Sequence, residues 1–416
     1  MRERALALAW LTGAAALLMQ PSAQAHALPE EALPLNPGWQ VSAGASLGWV
    51  KARQAWPAAR YEGVLLTGQT QPSREGELAL EQASLGLGLR WLPWLGAELA
   101  TSAHDGERPH TDTARLEAST ALAGGELRAR LGRQSLSLGS TIDAAGHFDG
   151  FAQAPLAKLA AFDRDWVEDG LALQWQRPED DDEAGAQLQA LELGLWRGRA
   201  FPGAPQGPAV PSLRLSGGWE QLSAELFGAW LQPQGRGAAA VSSATSGHSH
   251  GVPDCRQSLQ NRVCFEGRTQ IWGASLAQDG LLGGRFSWRL AGVLRRDRGT
   301  LYSTSATAEQ RGQVAGWWAD AAWQPDAHWA LATRAERLVP RQTLTGYNLA
   351  SLAQDAGLST APPVQRFTLA LGRRWPPQGL NLWLELGTEK TSTAAAQPWV
   401  GLRLQWLAPH GLQGQF

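Results

Sequence analysis

The chain has 416 residues and a formal net charge of −2, with 44% hydrophobic and 18% charged residues. That balance offers no basic face for nucleic acid. Glycine is abundant at 47 residues, cysteine is scarce at two, and 21 tryptophans stand against three tyrosines. Only Lys51, Lys158 and Lys390 are lysines. The remaining basic residues are arginines, which prefer fixed, planar contacts with carboxylates and phosphates; GC-rich coding gives the same bias. Tryptophan suits a membrane–water interface, and it also suits sugar stacking in a secreted lectin. Its positions decide between the two.

Met1-Arg2-Glu3-Arg4 is a short basic segment, Ala5 to Leu18 is apolar, and Ala23-Gln24-Ala25 is a small-x-small cleavage site. Together they read as a signal peptide over 1–25, cleaved after Ala25. Pro21 and the short apolar run argue against a retained anchor. Residues 26–38 form an N-terminal segment. Nothing downstream approaches 18 unbroken apolar residues. If the remainder, 39–416, sits in a membrane, it does so as a closed barrel, because only closure satisfies every backbone group in lipid.

Period-two alternation recurs along that remainder. It is seen in Leu85 to Trp91, Leu191 to Leu195, Leu213 to Trp219, Leu222 to Leu226, Phe286 to Leu290, Phe367 to Leu371, Leu380 to Leu386 and Val400 to Trp406. Such segments are weak singly and persuasive when repeated, and about 17 candidates lie between Trp39 and Trp406. Gly44-Ala45-Ser46-Leu47-Gly48 matches a G-x-S-x-G nucleophile pattern, but it lies in a strand candidate with no helix following. Connections alternate in length. Short ones fall near Leu92-Pro93, Gly124-Gly125, Glu220, Gly280, Gln324-Pro325 and Pro376-Pro377. Long ones are expected at 104–112, 140–169, 198–211, 232–268, 296–313, 340–365 and 389–398. The segment 177–186 is long for its short-turn slot. Trp91, Trp94, Trp219, Trp323, Trp329 and Trp375 flank the short turns, as an interfacial girdle would. The fold class is therefore all-β: a transmembrane, antiparallel, up-and-down β-barrel. Even parity selects about 16 strands, with 18 as the alternative.

The segment Leu127 to Gly139 (LRARLGRQSLSLG) and the re-entry Phe162 to Gly170 resemble strands of large Gram-negative outer-membrane porins, of the alginate-export and phosphate-selective-like groups. The terminal Phe416 is similar to the closing aromatic of such barrels, although Pro409 and Gly411 interrupt the alternation after Trp406. The resemblance implies a place in the cell outer membrane and export through the periplasm. It also implies contact with outer-membrane lipid and the barrel-assembly machinery, and passive transport of small solutes without a cofactor or enzymatic activity. Oligomeric state stays open.

With apolar residues toward lipid, their neighbours face a lumen. Arg90, Arg128, Arg130, Arg214, Arg285, Arg289, Arg366 and Arg403 are expected there, with Glu98, Glu192, Glu225 and Glu385. Two readings stand side by side: a charged constriction that selects by sign, with a slight bias to anions, and opposite charges that pair across strands. The loop 140–169 is the candidate for a fold-in constriction, because Phe148, Phe151, Leu156, Leu159 and Phe162 accompany Asp149, Lys158, Asp163, Arg164 and Asp165. A compact external cap is the alternative. The loop 232–268 holds His248, His250, Cys255 and Cys264. In an oxidising exterior the two cysteines are expected as a disulfide. Zinc capture by His248 and His250, with His104 or His110 from another loop, is the alternative function.

Overall fold

The computed structural model describes residues 33–52, 78–103, 109–145, 149–163, 165–178, 187–219, 221–240, 254–358, 362–392, 395–408 and 412–415. The proposed signal peptide, Arg164, His104, His147, Phe148, His248, His250 and Phe416 lie outside them.

The strands are β1 (Gly38–Ala52), β2 (Leu78–Leu92), β3 (Leu95–Ala103), β4 (His110–Leu122), β5 (Gly125–Ser135), β6 (Val167–Gln176), β7 (Gln187–Trp196), β8 (Val210–Trp219) and β9 (Leu222–Leu231). They continue as β10 (Arg236–Ala239), β11 (Arg262–Gly280), β12 (Phe286–Tyr302), β13 (Thr307–Trp323), β14 (Trp329–Gly346), β15 (Val364–Trp375), β16 (Leu380–Thr391), β17 (Gln397–Leu407) and β18 (Leu412–Gln415). Each strand of the wall pairs antiparallel with the next in chain order, except that β9 pairs with β11. The wall closes where β17 pairs with β1, from Gly44 opposite Leu407 to Ala52 opposite Trp399. Sixteen strands thus form a closed ring without β10 and β18, and closure leaves no sheet edge. The short β10 lies against the long-loop end of β11. β18 continues along the start of β1, with Gly38 opposite Gln415, so the tail after Trp406 extends the seam.

Alternation sorts the side chains. Leu371, Leu384 and Leu402 stand in register on three adjacent strands, and all three are exposed on the outer face. Their neighbours Ala370, Glu385 and Arg403 are buried inside. The tryptophans that flank the short turns, Trp91, Trp94, Trp219, Trp323, Trp329, Trp375 and Trp406, are exposed in a girdle at that end.

The short turns have local causes. Ala123 and Gly124 both take positive φ, at 51° and 72°, as a two-residue hairpin of right-handed twist requires. Between β13 and β14, the Asp326 carboxylate accepts the backbone N–H groups of His328 and Trp329 at 2.7 and 2.9 Å. Those hydrogen bonds hold this turn carboxyl below the usual carboxylate range.

Several of the expected connections are shorter than expected; that at 389–398, for one, shrinks to 392–396 between β16 and β17. The segment 296–313 is not a long loop: β12 and β13 run on to a link of 303–306, with Tyr302 opposite Thr307. Arginines there are compatible with a strand because these rows rise past the apolar band. Likewise β14 continues to Gly346, which shortens the loop expected at 340–365 to 347–363. The G-x-S-x-G segment lies within β1, where Ser46 is buried and donates to Glu81 at 2.7 Å.

Candidate functional site: a lumen narrowed by one folded-in loop

The largest apolar cluster lies inside the barrel. The described residues of 136–166 turn inward between β5 and β6 and carry two short helices, α1 (Ser140–Asp143) and α2 (Leu156–Phe162). Leu138, Ile142, Ala161, Phe162 and Trp166 pack against inward residues of the wall, among them Phe227, Ile271, Val293 and Trp318. Further along, Leu156 and Ala160 meet Val314, Leu338 and Val364, and Phe151 meets Ala332, Ala370 and Trp383. Small inward residues make room. A Cβ built on Gly316 would stand 2.8 Å from the Cβ of Ala157, so only glycine lets α2 approach β13 so closely.

Charged wall residues then pin the loop. Arg403 donates to the carbonyl oxygens of Phe151 and Asp149 at 2.6 and 2.9 Å. Arg334 donates to the Gln153 carbonyl and the Asp149 carboxylate, both at 3.0 Å, and also pairs with Asp320. Its guanidinium lies 4.1 Å from the centre of the Phe151 ring. Arg295 donates to the Ala160 carbonyl at 2.7 Å. Glu385 accepts the Ala152 N–H at 2.8 Å, and Glu336 accepts the Leu156 N–H at 2.6 Å, at the start of α2. Buried loop carbonyls and N–H groups need such partners, because an unmade bond there costs about 1–3 kcal/mol. Within the loop, Lys158 is buried and pairs with Asp165, while donating to the Ala145 carbonyl at 2.9 Å. Burial pushes the Lys158 ammonium below its ordinary range and the Asp143 carboxyl above its own. Asp163 closes α2 in a left-handed conformation, at φ 56°.

The loop leans mainly on β9 and β11 to β17, and its cluster also takes in Ala172, Trp196 and Val210 of β6 to β8. The remaining inner wall carries a ladder of opposite charges. Arg90 pairs with Glu117 at 3.6 Å, and Arg115 with Glu98 at 2.6 Å. Arg128 pairs with Glu126 at 2.8 Å. Glu192 receives both Arg130 and Arg214, and Arg214 also reaches Glu225 at 3.5 Å. Under the loop, Arg366 pairs with Glu336 and Glu389, and Arg403 with Glu385.

Eleven of the twelve residues expected in the lumen stand on inward positions of the wall: Arg90, Arg128, Arg130, Arg214, Arg289, Arg366, Arg403, Glu98, Glu192, Glu225 and Glu385. Arg285 does not. It is exposed in the turn between β11 and β12, where the strand has ended and alternation no longer applies. Sequence parity alone missed Arg295, Asp297, Arg334 and Glu336. Each pair is spaced i, i+2 on one strand face, a signal that was present. Placing 296–313 in a loop hides Asp297, and Arg295 stands just before that boundary.

At the long-loop end, Cys255 and Cys264 form a disulfide with a Cα–Cα distance of 6.0 Å. It ties the segment after β10 to β11. Below it, Arg236 pairs with Asp297 at 3.0 Å, and its guanidinium lies 4.6 Å from the centre of the Phe265 ring. Both thiols are engaged, so no thiolate is offered to a metal. His110 is bonded to Ser102 and Asp112 at 3.2 and 3.1 Å. Among the described residues, no three His, Cys, Asp or Glu residues group as a metal site. Replacing both cysteines by serine is expected to remove about 2.5–3 kcal/mol of loop-closure stabilisation. Proteolysis should then cleave within 232–261 while heat-modifiable migration of the barrel is kept. Equal cleavage of the oxidised wild type would contradict this.

No protein-family model matches the sequence, and no curated protein does. Solved structures do match the fold. Outer-membrane expressed OmpT of Vibrio cholerae aligns with a TM-score of 0.54 at 8% identity, covering 91% of this chain and 100% of that one. The outer membrane channel DcaP of Acinetobacter baumannii aligns at 0.50 with 9% identity, over 89% and 96% of the two chains. At such identities the likeness is one of fold: a closed, antiparallel, 16-strand barrel.

Proposed function

We propose that the chain is an outer-membrane porin, exported with a cleaved signal peptide, inserted by the barrel-assembly machinery, and passed by small polar solutes through passive diffusion. The observation that carries this reading is the lumen. One loop covers one side of a closed barrel, and the facing wall of β2 to β7 keeps charged side chains such as Arg128, 28% exposed, in contact with water. The likeness to a barrel described as an outer membrane channel supports the same reading. The solute path runs between the loop and that wall. Rings of wall charge select solutes by sign where they are unbalanced. Here the arginines stand beside glutamates, so selectivity is weak, with an anion bias from Arg128 and Arg130.

Planar-bilayer recording tests the reading. Purified protein is expected to give stepwise, ohmic single-channel currents, together with heat-modifiable migration in detergent gels. Protein that inserts yet conducts no more than bare lipid would sink the porin assignment.

A further inference from the structure

Six arginines, Arg268, Arg296, Arg298, Arg311, Arg337 and Arg341, stand exposed on the outer face of β11 to β14. Most of them lie ten to twelve residues above the short-turn girdle. At about 3.3 Å per residue and a tilt near 40°, that is roughly 25–30 Å, the upper edge of a barrel's apolar band. Arg268 faces Arg298, and Arg298 faces Arg311, in one row across three strands. Arg296 and Arg341 lie in the next row, with Gln313 between them. Like charges directly opposite one another destabilise a sheet. Among the described residues none of the six forms an ion pair. Glu266 and Glu309, one row farther from the girdle, are the acids on this face of the four strands.

Directly below lies a groove of about 680 Å³ in the outer wall. Ala274, Gly292 and Ala315 form its floor, Trp272 and Trp317 its sides, and Arg337 its border. Trp272 is held across Gly228 by an edge contact with Trp230, with ring centres 5.1 Å apart. Gly292 leaves room on this floor: an added Cβ would meet its nearest atom at 3.5 Å, an ordinary contact.

We propose that this face is a binding site for a lipid with an anionic phosphate headgroup. One acyl chain fills the groove over Gly292, and the phosphate is held by Arg268, Arg296, Arg298 and Arg311. The proposal rests on the reading that the outer wall meets lipid. Arginine's planar fork suits phosphate oxygens, and an anion turns a repulsive row into a stabilised one. A second copy of the chain, docked through the same face, would instead set arginines against arginines.

Native mass spectrometry of the detergent-purified barrel tests the site, with dimyristoyl phosphatidate, dimyristoyl phosphatidylcholine and inorganic phosphate as probes. Phosphatidate is expected to be retained about ten-fold more strongly than phosphatidylcholine, equivalent to about 1.4 kcal/mol. The preference should vanish in the Arg268→Gln, Arg296→Gln, Arg298→Gln, Arg311→Gln variant. Gly292→Phe, which fills the groove, should lower retention of phosphatidate comparably, and excess inorganic phosphate should not displace the lipid. Equal retention of both lipids, displacement by inorganic phosphate, or protein dimers in place of lipid adducts would each overturn the proposal. Heat-modifiable migration shows that each variant is folded. All the altered side chains face outward, so conductance is expected to be unchanged. A barrel that binds phosphatidate but conducts nothing would refute the porin reading and leave this one standing.

Discussion

Arg334→Ala is expected to release the lumen loop and raise single-channel conductance, with flickering between levels. Arg334 is buried on the inner face of β14 and holds the Asp149 and Asp320 carboxylates, the Gln153 carbonyl and the Phe151 ring. Alanine leaves two carboxylates without their shared cation. Breaking a buried pair by removing one partner costs about 3–5 kcal/mol, because the remaining charge stays buried. The wall itself is closed by strand pairing, so that cost falls on the loop. Arg403 still holds the backbone carbonyls of Phe151 and Asp149, which confines the release to part of the segment. Recordings at fixed salt, together with limited proteolysis within 136–166, provide the measurement. Arg337→Ala, on the outer face of the same strand, is the control. Unchanged conductance and unchanged cleavage in the Arg334 variant would show that the loop is held by its apolar contacts alone.

The second large effect is expected at the charge ladder. Glu192 is buried and receives both Arg130 and Arg214, and Arg214 continues to Glu225. Replacing Arg130 and Arg214 together by glutamine removes two positive charges and strips Glu192 of both partners. The lumen on that side becomes net negative, so the reversal potential in a salt gradient should move toward the cation limit. Desolvated Glu192 should also lower thermal stability, by an amount on the order of 3 kcal/mol. The Arg128→Gln, Arg130→Gln pair should move the potential in the same direction and by less, because Arg214 stays on Glu192. A potential unmoved by both variants would place the narrowest point away from β5 to β9.

Both effects depend on contacts of different legibility. That Arg130, Arg214, Glu192 and Glu225 share the lumen follows from alternation within each strand. Side chains two apart share a face, and the apolar set must face lipid. That Glu192 sits between two arginines depends on register, in which Gln174 on β6 and Arg214 on β8 stand opposite Glu192. Register is set by the turns and bulges of several hairpins together, including the shift between Leu188 and Ala190. Two parallel arguments on the sequence, parity and short-turn spacing, found the 16-strand ring. They misplaced Arg285 and the segment 296–313, because a turn has no period and a strand that outgrows the membrane loses its apolar half.

By itself the sequence determined the barrel, its closure, the girdle and the inward set of charges, since each follows from a period of two repeated against a membrane of given thickness. The tertiary structure alone decided where the loop 136–166 goes. Its apolar residues allowed either an external cap or a folded-in constriction. The choice was made by partners far away in the chain: Gly316, which admits α2, and Arg295, Arg334, Glu385 and Arg403, which satisfy its backbone. Those contacts join residues more than a hundred positions apart, where no local pattern carries information, and they exist only once the ring has closed around the loop.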